Sequence, residues 1–175
     1  SSVAENNKEM WDERKRVFAE TLPAFAEDYM LMEHYQEMLR GYDKRANQLG
    51  KITELDVLSY VMKQGYSVSI PFGDKDRYDQ IWDINGKLLK IQIKTAHWKN
   101  SEKKAIVIKT RSISNGKQLR YTKDQIDYFA TCWNEKYYLI PVEECSTEKT
   151  LWLEMPKAKF SNCSLAKDYE IKEIL

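Results

Sequence analysis

The dipeptide Asn85-Gly86 constrains the fold of this chain most strongly, because it separates two segments in which apolar and polar residues alternate. A two-residue turn between such segments adopts type I′ geometry, which requires positive φ at both central residues and favours Asn-Gly. We therefore predict a β-hairpin whose strands cover residues 78–84 and 87–95.

The turn also predicts which residues face each other. Residues that flank a two-residue turn pair, so Ile84 lies opposite Lys87, and Asp79 lies opposite Gln92. Lys94, two residues beyond Gln92, points to the same face. A β-bulge between the strands would shift this register by one residue. The apolar residues of the hairpin fall on the other face and are predicted to enter the core: Trp82, Ile84, Leu89, Ile91 and Ile93.

This register predicts a polar patch that is suited to a divalent cation. Mg²⁺ prefers oxygen ligands, which here are the carboxylate of Asp79 and the amide carbonyl of Gln92. The backbone carbonyl of Ile93 can add a third oxygen. Lys94 can orient or help to deprotonate a water molecule, or stabilise charge that develops on a phosphate group.

A second carboxylate, Glu54, belongs to the first turn of a helix predicted over residues 52–64. Its neighbours at i+3 and i+7 are Val57 and Val61, which places Glu54 towards the buried side of the helix. Two explanations remain open. Acids are favoured in the first turn of a helix, or the helix packs across the hairpin and brings Glu54 to the polar patch.

Charge is distributed unevenly, although the net charge of the chain is only +1. Residues 87–123 contain 11 Lys and Arg and a single acid, Glu102. A basic stripe of this kind suits a polyphosphate partner, and the alternative is a set of solvated strand faces and loops. The residues predicted to contact DNA are Lys90, Lys99, Lys103, Lys104, Lys109, Arg111, Lys117, Arg120 and Tyr121.

The remaining pattern predicts a mixed α/β layer fold. Apolar spacing predicts two helices over residues 9–40, interrupted at Pro23 and ended at Gly41, followed by a short connection over residues 47–51. Gly65 is placed to stop the helix that follows. Further predicted strands cover 66–71, 105–109, 137–142 and 151–153. A helix is predicted over 122–133, and the segment after 153 has no clear pattern.

Composition excludes several classes of protein. No apolar run approaches the roughly 20 residues that a membrane-spanning helix needs, and the first ten residues lack the apolar core of a signal peptide. The chain has 3 Cys and 2 His without a CxxC motif, which argues against a disulfide framework or a structural zinc site. We therefore expect a cytoplasmic protein.

Several motifs follow one another in order along the chain: Glu54-Leu55, Tyr66-x4-Pro71, Arg77-Tyr78-Asp79, Ile91-Gln92-Ile93-Lys94-Thr95, Tyr121-Thr122-x4-Ile126-Asp127-x-Phe129 and Tyr138-Leu139-Ile140-Pro141. Together they resemble the PD-(D/E)xK nuclease superfamily. Within it, the chain is most similar to the branch of bacterial intron-encoded homing endonucleases and Holliday-junction-resolvase-like proteins, over residues 50–143. The resemblance implies a restriction-endonuclease-like core, a mixed β-sheet flanked by helices. It leaves residues 1–49 as an N-terminal helical extension and 144–175 as a C-terminal strand and tail that pack on the core.

The resemblance implies a Mg²⁺- or Mn²⁺-dependent endodeoxyribonuclease. By position, Asp79 is a metal ligand, Lys94 is the catalytic lysine and Glu54 is the helix acid. The sequence departs from the family name at Gln92, where the motif has Asp or Glu; the homing-endonuclease-like branch also has Gln here. A carboxamide brings no charge, so metal affinity is expected to be weaker. The predicted metal ligands are Asp79, Gln92, Ile93 and Glu54, and the predicted catalytic residues are Asp79, Gln92, Lys94 and Glu54.

Three functions follow from these features. The first is an endonuclease that cuts double-stranded DNA, of homing or restriction type, and the second is a weak or inactive DNA-binding module that retains the fold. The third is a subunit whose acidic N-terminal helices recruit a protein partner. A double-strand break usually needs two active sites, so we expect a homodimer or homotetramer.

Overall fold

The structure is a computed structural model that describes residues 9, 10, 12, 13, 16, 29–156 and 163–175. The chain forms two compact units, Ser1–Gln48 with Asn115–Lys117, and Leu49–Ser114 with Gln118–Leu175. In the first unit, residues 9, 10, 12, 13 and 16 are helical and a long helix begins at Tyr29. The predicted break at Pro23 lies outside the described residues. The second unit contains the two larger β-sheets and all of the predicted site residues except Lys117.

The long helix, α1, runs from Tyr29 to Lys63 without interruption. The predicted helix end at Gly41 and the predicted connection over 47–51 are therefore wrong. A glycine in a helix costs only about 1 kcal/mol relative to alanine, which neighbouring turns can offset. The predicted stop is confirmed, since Gly65 has a φ of 92° just after the last helical residue.

The buried side of α1 leaves out some of the larger apolar residues of the helix. Thr53, Val57 and Val61 are buried, whereas Leu55 and Met62 are 61% and 56% exposed. Residues four apart lie on the same helix face, so the small residues at 53, 57 and 61 form the stripe that approaches the sheet closely.

The main sheet has five strands in the order β1-β2-β3-β8-β9. Their bounds are Ser67–Ser69, Gln80–Ile84, Lys87–Ile93, Tyr128–Trp133 and Lys136–Pro141. The predicted hairpin is confirmed, with φ of 54° at Asn85 and 89° at Gly86. Ile84 pairs with Lys87, and pairing continues to Gln80 opposite Ile91. β3 and β8 run parallel, which makes the sheet mixed.

The helix predicted over residues 122–133 is wrong, because residues 128–133 form strand β8. The apolar residues of this segment match helical spacing, but other elements cover both faces of the strand that they form. Phe129 belongs to the core on one face of the sheet and Ala130 to the core on the other. Strands buried on both faces are continuously apolar, so periodicity does not separate them from buried helices.

A three-stranded sheet of order β10-β5-β4 lies in the same unit, with bounds Glu148–Trp152, Ala105–Lys109 and His97–Trp98. The strands β6 and β7, Arg111–Ser114 and Lys117–Arg120, form a separate two-stranded sheet. Two short 3₁₀-helices, Val142–Glu144 and Ala166–Tyr169, and the terminal helix α2, Ile171–Ile174, complete the described chain.

Two apolar clusters cover the two faces of the main sheet. On one face, Val57 and Val61 of α1 pack with Trp82, Ile91 and Ile93. On the other, Ile106 and Ile108 of β5 pack with residues of β8 and β9. The mixed α/β class is confirmed. The prediction that helices flank the sheet is corrected in part, because a second β-sheet and not a helix covers the second face.

None of the helices within the described residues is long and apolar enough to span a membrane.

Candidate active site

Asp79 lies one residue before β2, at the end of the hairpin furthest from its turn. Its N–H donates to the carbonyl of Ile91, and its Oδ2 accepts a hydrogen bond from the N–H of Ile93, both at 2.8 Å. The regular register therefore ends at Gln80 and does not include Asp79. The direct pairing of Asp79 with Gln92 is corrected accordingly: the carboxylate binds the backbone between Gln92 and Lys94.

The environment of Asp79 disfavours its charged form. Burial raises the pKa of the carboxyl, and the hydrogen bond from Ile93 opposes this increase. The negative charge of Glu54 raises this pKa further, whereas the positive charge of Lys94 lowers it. Since two carboxylates repel each other here, a bound cation would relieve the repulsion.

Lys94 follows β3 and is half-buried. Burial lowers the pKa of its ammonium group; the charge of Asp79 opposes this, and the charge of Arg77 adds to it. Its Nζ donates to the carbonyl oxygen of Arg111 at 3.4 Å and lies 5.4 Å from the centroid of the Tyr121 ring. A lysine with a depressed pKa can exchange protons closer to neutral pH than an exposed lysine.

Glu54 is supplied by α1, and two hydrogen bonds hold this part of the helix against β2 and the residues that follow β3. The carboxamide of Gln80 donates to the backbone carbonyl of Glu54 at 3.0 Å. The hydroxyl groups of Thr53 and Thr95 lie 3.1 Å apart, where one donates to the other. These contacts bring the start of the buried helix stripe to the end of β3. The carboxylate of Glu54 itself forms an ion pair with Lys51 at 3.0 Å.

The donor set fits a divalent cation through oxygen atoms. Asp79 and Glu54 offer carboxylates, Gln92 offers a carboxamide and Ile93 offers a backbone carbonyl. No group of three or more His, Cys, Asp or Glu side chains lies together in the described part of the chain. A site with few charges and several neutral oxygens suits Mg²⁺ or Mn²⁺ better than zinc.

Arg77 belongs to one of the matching motifs but is not among the predicted site residues. The centre of its guanidinium lies 4.0 Å from the centroid of the Tyr121 ring, and its Nη1 donates to the hydroxyl of Ser112 at 2.8 Å. Arg77 lies in an irregular segment between β1 and β2, so no periodicity predicts where its side chain points. The only signal was its position two residues before Asp79.

A comparison with protein families identifies the family of this chain. The sequence profile of the PD-(D/E)XK endonucleases matches residues 44–172, which include Glu54, Asp79, Gln92 and Lys94. This chain belongs to the PD-(D/E)XK endonuclease family. The resemblance seen in the sequence is confirmed, and membership of the family implies nuclease activity, the hydrolysis of phosphodiester bonds.

Among solved structures, this PD-(D/E)XK endonuclease is similar to the bacterial homing endonuclease I-Ssp6803I, with a TM-score of 0.59 at 22% sequence identity. The match covers 71% of this chain and 87% of the other. At this identity the likeness shows a shared fold. A comparison with curated proteins gives no match.

The basic residues of this family member differ in how far they are available to a ligand. Lys90 donates through Nζ to the carbonyl of Asp124. Lys99 donates to the hydroxyl of Thr150 at 3.3 Å and lies near the ring of Trp152. Lys104, Arg111 and Tyr121 are half-buried. The remaining predicted DNA contacts are exposed: Lys103, Lys109, Lys117 and Arg120. Lys117 belongs to the first compact unit, and the others to the second.

Proposed function

We propose that this chain is a metal-dependent endonuclease that hydrolyses phosphodiester bonds in double-stranded DNA, of homing or restriction type. The observation that carries the proposal is the arrangement around Ile93. A half-buried carboxylate, Asp79, is held by the backbone N–H of Ile93, and a half-buried ammonium, Lys94, is the next residue along the chain. Membership of a nuclease family supports the same chemistry.

The chain's oxygen ligands would hold Mg²⁺ or Mn²⁺. Asp79, the Gln92 carboxamide and the Ile93 carbonyl come from the hairpin, and Glu54 comes from α1. When bound, the cation supplies Lewis-acid polarisation of the phosphodiester group and makes water a better nucleophile. The hydrogen bond from the N–H of Ile93 orients the Asp79 carboxylate before a cation binds, which reduces the entropy cost of forming the site.

Lys94 acts at the attacking side. Because burial lowers the pKa of its ammonium group, Nζ can accept or return a proton during attack by water. In its charged form, the same group stabilises negative charge on the pentavalent transition state. Both roles require Nζ to leave the carbonyl of Arg111, a long contact of 3.4 Å.

Double-stranded DNA is the proposed substrate because many basic residues lie close in sequence to the proposed site residues. Lys103, Lys109 and Arg120 are exposed and suited to phosphate oxygens. The fold shared with a bacterial homing endonuclease favours a homing- or restriction-type role. Breaking both strands requires two copies of one active site, so we propose a homodimer or homotetramer that acts in the cytoplasm. A monomeric mass at micromolar concentration, measured by light scattering, would contradict the oligomer.

The second candidate is a DNA-binding module with weak or no turnover. It is favoured by Gln92, which replaces a charged ligand with a neutral one. The two candidates differ in one measurement, the metal-dependent nicking and linearisation of supercoiled plasmid DNA. The endonuclease should require Mg²⁺ or Mn²⁺ and stop with EDTA, while Ca²⁺ should support binding without cutting.

Variants assign that activity to the site. Asp79→Ala and Lys94→Ala should each abolish cleavage, and Lys94→Ala should still bind DNA because it is one cation among many. Asp74→Ala and Lys87→Ala are matched controls, because both side chains are exposed. Asp74 lies in the same loop as Asp79, and Lys87 begins the strand that ends just before Lys94. Binding without cleavage by the wild-type protein would favour the second candidate. Full cleavage by Asp79→Ala and Lys94→Ala would exclude this site.

A further inference from the structure

Arg77 lies beside the proposed site but has no role in the mechanism above. Its guanidinium and the ammonium of Lys94 are both close to the ring of Tyr121, at 4.0 Å and 5.4 Å from the ring centroid. The charge of Arg77 also contributes to lowering the pKa of Lys94. One aromatic side chain therefore places a second cation next to the proposed catalytic lysine.

The hydrogen bonds of Arg77 are incomplete. Nη1 donates to Ser112, but Nε and Nη2 are buried and have no acceptor among the residues that the structure describes. Buried donors in folded proteins nearly always have an acceptor, so this exception needs an explanation. A guanidinium presents its N–H groups in a planar fork that matches the oxygen atoms of phosphate. A phosphate oxygen is an acceptor of the kind that these N–H groups lack.

Strand β6 contacts both cations. The carbonyl oxygen of Arg111 accepts from Lys94 Nζ, and the hydroxyl of the next residue, Ser112, accepts from Arg77 Nη1. Two adjacent residues thus present two oxygen atoms to the two cations. A phosphate that replaces these oxygens as the acceptor for both cations has to open both contacts.

We propose that Arg77 is the phosphate-binding residue of the site. Its guanidinium, supported by Tyr121, binds a non-bridging oxygen of the phosphodiester group that is cleaved, and the two oxygens of β6 hold that place until DNA binds. The inference rests on the proposed endonuclease function. The alternative is a purely structural role, in which Arg77 ties the segment between β1 and β2 to β6 through Ser112.

The first experiment compares single-turnover cleavage of a duplex whose cleavage position has been mapped on the wild-type protein. Arg77→Met should slow cleavage about 100-fold, because it removes one donor to the charge of the transition state. Arg77→Lys, which keeps the charge but loses the fork, should slow it about tenfold. Lys75→Met is the matched control, since it removes an exposed positive charge two residues earlier and should change the rate less than about twofold.

Binding in Ca²⁺ tests the contact itself, without turnover. A methylphosphonate at the mapped position removes the charge and one non-bridging oxygen of that phosphate group. Wild type should bind this duplex about fivefold more weakly than the unmodified one, and the ratio between the two duplexes should be clearly smaller for Arg77→Met, because one contact to that phosphate is already lost. Lys75→Met should weaken binding to both duplexes by the same factor. If, relative to wild type, Arg77→Met also weakens binding to both duplexes by the same factor, the contact is not with this phosphate and the assignment fails.

Ser112→Ala separates the structural alternative. If Ser112 only holds the place of a phosphate oxygen, its loss should leave the cleavage rate within about twofold of wild type. A loss as large as that of Arg77→Met would show that the contact is structural and overturn the proposal. Cooperative thermal melting by circular dichroism checks that each variant is folded. Wild-type protein that cuts no duplex overturns the proposed function, whereas wild-type cleavage with unimpaired Arg77→Met and Arg77→Lys overturns only the role of Arg77.

Discussion

The side chain of Gln80 joins the hairpin to the helix that carries Glu54. Its Nε2 donates to the backbone carbonyl of Glu54 at 3.0 Å, while its Oε1 accepts from the indole N–H of Trp82 at 2.9 Å. Gln80 is 2% exposed and follows Asp79 directly in the chain. One buried carboxamide therefore fixes the spacing between the two elements that supply the carboxylates of the site.

We expect Gln80→Met to destabilise the protein by about 2 kcal/mol, because the indole N–H of Trp82 and the carbonyl of Glu54 lose their partners in a buried place. Cleavage should fall more than stability alone explains, since Glu54 is no longer held relative to Asp79. Urea unfolding and single-turnover cleavage measure the two effects. Thr110→Val is the control: it removes a buried hydrogen bond to Ser146, and should lower stability without a specific loss of rate.

Gln92→Glu should tighten metal binding by at least about tenfold, because it adds a negative charge to a neutral part of the ligand set. Turnover need not increase, since the charge also raises the repulsion between carboxylates around Asp79. Titration of Mn²⁺ by calorimetry, without DNA, measures this effect directly. Unchanged Mn²⁺ affinity would mean that the side chain at position 92 does not face the metal.

Salt dependence tests which cations contact DNA. The logarithm of the binding constant should fall linearly with the logarithm of salt concentration, with a slope of about −0.9 per phosphate neutralised. Lys103→Met should reduce the slope by about one such unit because Lys103 is exposed. Lys90→Met should reduce it less, since Nζ of Lys90 is bonded to the carbonyl of Asp124. An affinity insensitive to salt would contradict the DNA contacts altogether.

Acid should weaken the ion pairs through which Glu170 holds the C-terminal segment. This residue is 7% exposed and forms ion pairs with Lys172 at 3.0 Å and Lys136 at 3.6 Å. The hydrogen bond from Lys172 is the largest of the effects that lower the pKa of Glu170. A depressed pKa contributes stability above the ordinary glutamate pKa, and this contribution is lost as the pH falls through the folded-state pKa.

We therefore expect Glu170→Gln to be less stable than wild type by about 1 kcal/mol at pH 7, where the carboxylate is charged. The difference should shrink between about pH 5 and about pH 3 as the wild-type carboxylate gains a proton. Thermal melts of both proteins across this range measure it. A constant difference at every pH would show that the charge of Glu170 contributes nothing.

Local sequence predicted the hairpin well because its determinants are local. Asn85-Gly86 sets the turn, and the alternation on either side sets the faces, so the register from Ile84 to Gln80 followed directly. The stop of α1 beside Gly65 was equally local. In contrast, the backbone before Gln80 departs from the ladder because the carboxylate of Asp79 bonds to Ile93, and alternation does not indicate where a ladder ends.

By itself, the sequence determined the hairpin, its apolar face and the identity of the residues that could bind a metal. The tertiary structure alone decided that residues 128–133 form a strand, because burial on both faces depends on a helix and a second sheet that come from distant segments. It also decided that the charge of Glu54 acts on Asp79 and that Arg77 and Lys94 lie close to the same ring, that of Tyr121. Those positions depend on long-range contacts, from Gln80 to Glu54 and from Arg77 to Ser112 and Tyr121. Turn chemistry and periodicity act over a few residues, whereas contacts between distant segments depend on how whole elements pack.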